Sequence, residues 1–186
     1  VLKLADGLSS PDDILFDGDR VLVGEQASGK LAAIGKGGVM RLPGTIPAVE
    51  GIARSGDTLY VADQPNDRVV TLAADGTVRT FFQLQPLRGV DGLDNIRVGG
   101  SSLLVPDSAR GQLFVLGLDG AVKRTVTGFS RPVDAFARPD GSILVADENA
   151  AGIWEVAADG SKRLLARNLP LADDVVVDAQ GRVYTI

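Results

Sequence analysis

Cysteine and histidine are both absent from this chain of 186 residues. Without cysteine the chain forms no disulfide and offers no thiolate to a metal ion. The absence of histidine removes the commonest general base and the commonest protein ligand of transition metals. A Ser-His-Asp catalytic triad or a histidine zinc site therefore cannot be built from this chain alone.

Aromatic residues, positive charge and long apolar segments are also scarce. Aromatic residues make up 5% of the chain and the net charge is −5. No apolar run approaches the roughly 18 residues of a membrane-spanning helix. The acidic balance argues against a nucleic-acid surface, which usually carries a basic patch. The 45% hydrophobic content and 23 glycines instead suit many short strands joined by tight turns, in a chain long enough for one domain with a real core.

The sequence does contain a repeat of about 40 residues. An acidic residue returns at the same place in each copy, and we call these five residues the acidic column: Asp12, Glu50, Asp94, Asp134 and Asp174. A period of this length is typical of an array or of the blades of a propeller. The copies predict blades at residues 8–45, 46–85, 86–129 and 130–169, with an outer strand of a preceding blade at 1–7 and the start of a further blade at 170–186.

Each copy carries four short strand signals. In the second copy they lie at residues 51–54, 59–63, 68–72 and 77–81, and Asp75-Gly76 between the last two is a two-residue hairpin signal. Four antiparallel strands joined by tight turns form the blade of a β-propeller. We therefore predict an all-β fold, a single β-propeller domain with about four and a half blades present.

Two stretches of the sequence resemble a known repeat. LYVADQPNDRVVTLAADGTV at residues 59–78 resembles the NHL repeat, and ILVADENAAGIWEVAADGS at residues 143–161 follows the same course. NHL propellers are in turn similar to the calcium-dependent hydrolases of the gluconolactonase and senescence-marker-protein type. The resemblance implies about six blades in the intact protein. It also implies a Ca²⁺-binding hydrolase that acts on a lactone, an ester or a related small molecule.

The acidic column is where this resemblance places the metal ion. The calcium-dependent propeller hydrolases carry their ligands directly before the first strand of a blade, in motifs similar to Glu50-Gly51 and Pro11-Asp12. Carboxylate and amide oxygens are the ligands that Ca²⁺ prefers. The implied metal ligands are Glu50, Asp94, Asn95, Asp134 and Asp174. A carboxylate beside the ion would serve as nucleophile or general base, and the candidates are Asp134, Asp174 and Asp12.

The segment before Asp94 is longer than its counterparts, and it spans residues 82–92. Long loops on rigid scaffolds often carry function. We therefore predict substrate contacts for Arg88 and Asp91, with Arg88 neutralising a substrate anion or pairing with the column. A plain insertion explains the same residues equally well.

Two further interpretations concern acids with structural roles. An acid of the column can accept backbone N–H groups from the next blade, and the chain would then be a non-catalytic NHL propeller that binds a protein, a peptide or a glycan.

A second set of acids follows the second strand of each copy and is expected to brace the next turn, since Asp is a common turn residue. We call this set the turn acids: Glu25, Asp63, Asp107 and Asp147.

Overall fold

The structure is a computed structural model of the chain, and it describes residues 3–87, 89–90 and 92–186. The chain divides into two compact units, residues 1–88 and 89–186. Within the described residues, the regular structure comprises eighteen strands and one short 3₁₀ helix, Gln64–Asn66.

The first unit contains two antiparallel sheets of four strands, each in the order of the chain. The first sheet consists of β1 (Pro11–Asp17), β2 (Arg20–Glu25), β3 (Lys30–Gly35) and β4 (Gly38–Arg41). The second consists of β5 (Val49–Ser55), β6 (Thr58–Asp63), β7 (Arg68–Leu72) and β8 (Val78–Gln83).

The second unit repeats this plan and adds a two-stranded hairpin. One sheet consists of β9 (Arg97–Gly99), β10 (Ser102–Asp107), β11 (Gln112–Gly117) and β12 (Val122–Thr127). The other consists of β13 (Pro132–Ala137), β14 (Ile143–Asp147), β15 (Gly152–Val156) and β16 (Lys162–Arg167). The hairpin is formed by β17 (Val175–Val177) and β18 (Val183–Thr185).

Aspartate-glycine pairs make the tight turn between the third and fourth strands in three of the four-stranded sheets, and Gly37-Gly38 takes this place in the first sheet. Gly76 has a φ of +89°, which an L side chain rarely adopts. The carboxylate of Asp75 accepts the N–H of Thr77 at 2.9 Å and closes the turn. The same contacts recur at the equivalent turns, where Asp119 bonds to Ala121 and Asp159 bonds to Ser161.

Aliphatic side chains form the core between neighbouring blades of the same unit. In the first unit Leu22 and Leu31 of the first sheet pack against Ile52, Val61 and Val70 of the second, and all five are at most 3% exposed. In the second unit a comparable cluster joins β14 and β15 to β17. Truncating one such side chain to alanine would cost about 2–5 kcal/mol, so blade-on-blade packing is a main source of stability.

These observations confirm the predicted all-β fold, a β-propeller built of four-stranded antiparallel blades. The described residues 3–8 carry no strand, and the outer strand expected at residues 1–7 stays a prediction, as does the blade count of the intact protein. None of the described residues belongs to a helix that is long and apolar enough to span a membrane.

Candidate functional site

Asp134, near the start of β13, is fully buried and bonded on both carboxylate oxygens. Nη2 of Arg97, on β9, donates to Oδ2 at 2.8 Å, and Nε of the same side chain lies 3.3 Å from Oδ1. The backbone N–H of Val175, on β17, also donates to Oδ2 at 3.0 Å. Asp134 therefore connects β9, β13 and β17, each of which is the first strand of its sheet. The structural interpretation of the acidic column expects a contact of this kind.

Asp174 lies directly before β17 and is the most accessible column acid of the second unit, with 42% of its side chain exposed. Its Oδ1 accepts Nδ2 of Asn95 at 3.1 Å and lies 3.6 Å from Nη2 of Arg97. One guanidinium thus serves both Asp134 and Asp174. Among the described residues, Oδ2 of Asp174 has no hydrogen-bond donor.

Asp94 directly precedes Asn95 in the sequence and contacts two described side chains, Ser108 and Arg131. Oγ of Ser108 donates to Oδ2 of Asp94 at 2.8 Å, and Nη2 of Arg131 lies 3.6 Å from the same oxygen. Arg131 also pairs with Glu148. The second unit therefore gathers four predicted metal ligands into what we call the unit-2 cluster: Asp94, Asn95, Arg97, Arg131, Asp134, Glu148, Asp173 and Asp174.

Burial raises the pKa of two carboxyl groups in the unit-2 cluster. The pKa of Asp134 is raised by desolvation, and Arg97 and the N–H of Val175 only partly oppose the shift. The pKa of Asp173 is raised by burial and by the charge of Asp174, with Arg131 acting in the opposite direction. Both shifts favour the protonated, uncharged form of these carboxyl groups.

In the first unit, Asp13 makes the cross-blade bond that the sequence suggested for Asp12. Oδ2 of Asp13 accepts the N–H of Ile52 at 2.7 Å, as Asp134 accepts the N–H of Val175. Asp12 is exposed. Glu50 is 8% exposed, and its Oε1 accepts Nε2 of Gln26 at 2.6 Å.

The offset between Asp12 and Asp13 comes from a difference in turn length. Four residues separate the paired Phe16 and Val21, whereas five separate the paired Ala137 and Ile143. An alignment without gaps, anchored on the second strands, therefore misplaces the first strand by one residue. In a strand such a shift moves each side chain to the other face.

The turn acids have the bracing role that the sequence predicted, and all four are fully buried. Asp63 accepts Nδ2 of Asn66 and Nε of Arg68, which belong to the turn after β6 and to the start of β7. Glu25 accepts two bonds from Arg41. Asp147 accepts the N–H groups of Ser130, Arg131 and Ala150 and the indole N–H of Trp154.

Arg97 is the residue that sequence reasoning missed. Its register position, opposite Leu104 on β10, corresponds to Leu15 in β1, Ala53 in β5 and Phe136 in β13. An arginine at a position that is otherwise apolar is a signal that the sequence contained. Because this position lies close to the acidic column, an arginine here indicates a positive charge that neutralises acids of the column within the protein.

The arrangement of the described residues does not fit a ready-made calcium site. No three of their acidic side chains converge in a way that could hold a metal ion. The guanidinium of Arg97 already lies between Asp134 and Asp174, where a cation would neutralise them. The catalytic roles of Asp134, Asp174 and Asp12 stay predictions, and Arg88 and Asp91 lie outside the described residues.

Comparison with solved structures shows the fold. The nidogen/laminin complex matches with a TM-score of 0.80 at 17% identity, over 95% of this chain and 72% of that chain. A catalytically inactive virginiamycin B lyase from Staphylococcus aureus with quinupristin matches with a TM-score of 0.78 at 16% identity, over 98% of this chain and 65% of that one. The WD40 β-propeller domain of Doa1 matches with a TM-score of 0.74 at 15% identity, over 92% and 58%.

A streptogramin B lyase matches with a TM-score of 0.74 at 16% identity, and the chain covers 60% of its length. The chain thus spans less than two thirds of the lyases that it resembles. No protein-family model matches the sequence, and no curated protein matches it. At these identities the likeness establishes a β-propeller and no particular activity.

Proposed function

We propose that this chain belongs to a non-catalytic recognition propeller, in which the unit-2 cluster binds a cationic segment of a protein or peptide. The observation that carries the proposal is the internal pairing of Asp134, which is fully buried and bonded to Arg97 and Val175. A carboxylate in this state connects strands and offers little to a substrate. The cluster is therefore suited to recognition rather than to bond making.

The charge of the unit-2 cluster favours a cationic partner. Its described members include five carboxylates, those of Asp94, Asp134, Glu148, Asp173 and Asp174, and two guanidinium groups, those of Arg97 and Arg131. With all five carboxyl groups ionised the formal charge of the cluster is −3, and protonation of Asp134 or Asp173, whose pKa values are raised, makes it less negative. Complementary charge accelerates encounter and selects the partner more than it adds affinity.

The accessible acceptor is Oδ2 of Asp174, beside the amide of Asn95. A lysine or arginine side chain of a peptide matches such an acceptor, because a charged donor makes the stronger hydrogen bonds. A structure of the same fold forms part of a nidogen/laminin complex, so protein recognition is compatible with this fold.

A displayed library of random peptides tests the proposal directly. Selection on the immobilised full chain should enrich peptides that contain Lys or Arg. The affinity of a selected peptide should fall several-fold in the Asp174→Asn variant, and it should fall as the salt concentration rises.

The matched control for this experiment is Asp57→Asn, which removes an exposed carboxylate from a turn of the first unit. Affinity should be unchanged in this variant. Selected peptides without basic residues, or equal losses in the two variants, would refute recognition by the unit-2 cluster.

A calcium-dependent hydrolase is the second candidate function. The observation in its favour is the half-exposed carboxylate of Asp174 beside the Asn95 amide, with Asp94 and Asp173 close in sequence. Oxygen ligands of this kind suit Ca²⁺. Binding of the ion by these residues would require Arg97 to release Asp174, and titration with Ca²⁺ decides between the two candidates.

A further inference from the structure

The second unit contains a groove at the C-terminal ends of β9 and β13, whereas the unit-2 cluster lies at the start of these strands. The groove has a volume of about 790 Å³ and lies between the β9–β10 and β13–β14 sheets. Its apolar wall includes Leu104, Val115, Phe136 and Ile143. Arg124 of β12 lines the same groove.

The first unit has an equivalent groove of about 480 Å³ that is bridged by an ion cluster. Nε of Arg54 lies 2.8 Å from Oδ1 of Asp17 in the neighbouring blade, and Nη2 of Arg20 lies 2.7 Å from Oδ2 of the same carboxylate. Arg20 and Arg54 both line this groove. Here a cross-blade salt bridge occupies the space between the sheets.

Strand register shows what replaces this ion cluster in the second unit. The paired Asp17 and Arg20 correspond to the paired Gly99 and Ser102. Arg54, paired with Leu59, corresponds to Ala137, paired with Ile143. The second unit thus has small side chains, Gly99, Ser102 and Ala137, where the first unit has the charged Asp17, Arg20 and Arg54. The groove of the second unit is therefore open where salt bridges cross the groove of the first.

A fourth replacement adds positive charge to the opened groove. Met40, paired with Ala33, corresponds to Arg124, paired with Val115. Nη1 of Arg124 donates to the carbonyl groups of Ala157 and Ala158 at 3.3 and 3.2 Å. No described acidic residue forms a salt bridge with Arg124, and its charge reaches Asp159 only over a longer distance, where it helps to lower the pKa of that carboxyl group.

The other charged groups that line the groove are already paired. Nη1 of Arg138 lies 2.5 Å from Oε1 of Glu155. Asp178 accepts Nε of Arg182 at 2.6 Å and the hydroxyl of Tyr184 at 3.0 Å. An apolar groove with one guanidinium that forms no salt bridge with a described residue is complementary to a molecule with an apolar body and one anionic group.

We infer that the groove of the second unit is a binding site for a small amphiphilic carboxylate. The apolar chain of the ligand lies along the partly exposed Val115 and Phe136, and its carboxylate pairs with Arg124. The site is separate from the unit-2 cluster and does not depend on the function proposed for that cluster.

Calorimetric titration of the full chain with decanoate and with decanol tests the inference. The two molecules share an apolar chain and differ in charge. Decanoate should bind saturably, and Arg124→Met, which restores the methionine of the first unit, should weaken it about tenfold or more. Decanol binding should stay the same in this variant, and it reports that the groove is still folded.

A second pair of variants locates the site. Ala158→Phe places a ring at the exposed wall of the groove and should abolish binding of both molecules. Ala74→Phe makes the equivalent change in the groove of the first unit and should leave binding intact. The inference is overturned by absent decanoate binding, by equal decanoate affinity in wild type and Arg124→Met, or by a loss in Ala74→Phe that matches Ala158→Phe.

Discussion

At the scale of single residues, the guanidinium of Arg97 is the counter-charge of two acids, and its removal should be costly. Arg97→Met leaves Asp134 buried without its ion partner. Loss of one partner of a buried pair typically costs about 3–5 kcal/mol, and we expect the lower end because 31% of the Arg97 side chain is exposed. Thermal melting of wild type and variant at neutral pH measures the difference.

The pH dependence of this variant follows from the direction of the Asp134 shift. The folded-state pKa of Asp134 is raised by burial, and Arg97 lowers it in part, so the variant should have a still higher pKa. A raised carboxyl pKa favours the folded state at low pH, and this benefit is lost as the pH rises through the folded-state value. The stability gap between wild type and Arg97→Met should therefore shrink on acidification.

The double variant Arg97→Met/Asp134→Asn provides the control, because it removes both charges of the buried pair. It should be more stable at neutral pH than Arg97→Met alone. A double variant as unstable as the single one, or a gap that does not change with pH, would show that Arg97 acts through its packing and not through its charge.

Single residues also show where sequence reasoning reaches its limit. The turn acids were predictable because Asp63, Asn66 and Arg68 lie within one turn, and local spacing determines their contacts. The partner of Asp134 could not be predicted, because Arg97 lies on another blade and no local sequence pattern connects the two residues. Asp13 was missed in favour of Asp12 because a turn with one extra residue changes the register without changing the period.

At the scale of the β13–β16 sheet, Asp147 joins a turn to the strands that flank it. Its carboxylate accepts three backbone N–H groups and lies 3.2 Å from Nε1 of Trp154, the one tryptophan of the chain. Asp147→Ala should leave these donors unsatisfied, at a cost of about 1–3 kcal/mol or more. Tryptophan fluorescence should shift to the red as water reaches the indole group, and denaturant melts should show the lost stability.

Asp159→Ala is the appropriate comparison for Asp147→Ala, since Asp159 braces an exposed turn of the same sheet through Ser161. Its fluorescence should equal that of wild type, with a small change in stability. If Asp147→Ala left both readouts unchanged, the turn acids would not be structural braces.

Elements were easier to predict than their contacts for a physical reason. Alternating apolar residues and the Asp75-Gly76 turn determine strands and hairpins over a few residues, and all four strands of that copy were found. Packing between blades is not encoded locally. The replacement of Asp17 and Arg54 by Gly99 and Ala137 gains meaning only when strand register shows that the positions are equivalent and the salt bridge shows that Asp17 and Arg54 face each other.

At the scale of the whole molecule, the repeated blades contain equivalent positions whose side chains differ in their contacts. The turn acids kept one role in all four blades, and each is buried and bonded. The column acids diverged: Glu50 binds Gln26, Asp94 binds Ser108, and Asp134 binds Arg97. Such divergence argues against one ion that needs several equivalent ligands, and it agrees better with strand-to-strand ties and a local recognition surface.

Titration with Ca²⁺ after removal of bound metal by a chelator tests this argument on the full chain. The recognition proposal predicts no saturable heat and no rise in melting temperature, because the guanidinium of Arg97 already lies between Asp134 and Asp174, where the ion would have to sit. A calcium site would instead stabilise the folded state in proportion to its occupancy. Binding that is lost in Asp174→Asn and kept in Asp57→Asn would place the ion at the unit-2 cluster and establish the calcium candidate over recognition. Binding that survives in both variants would mean a metal site outside the cluster, and the cluster would keep its recognition role.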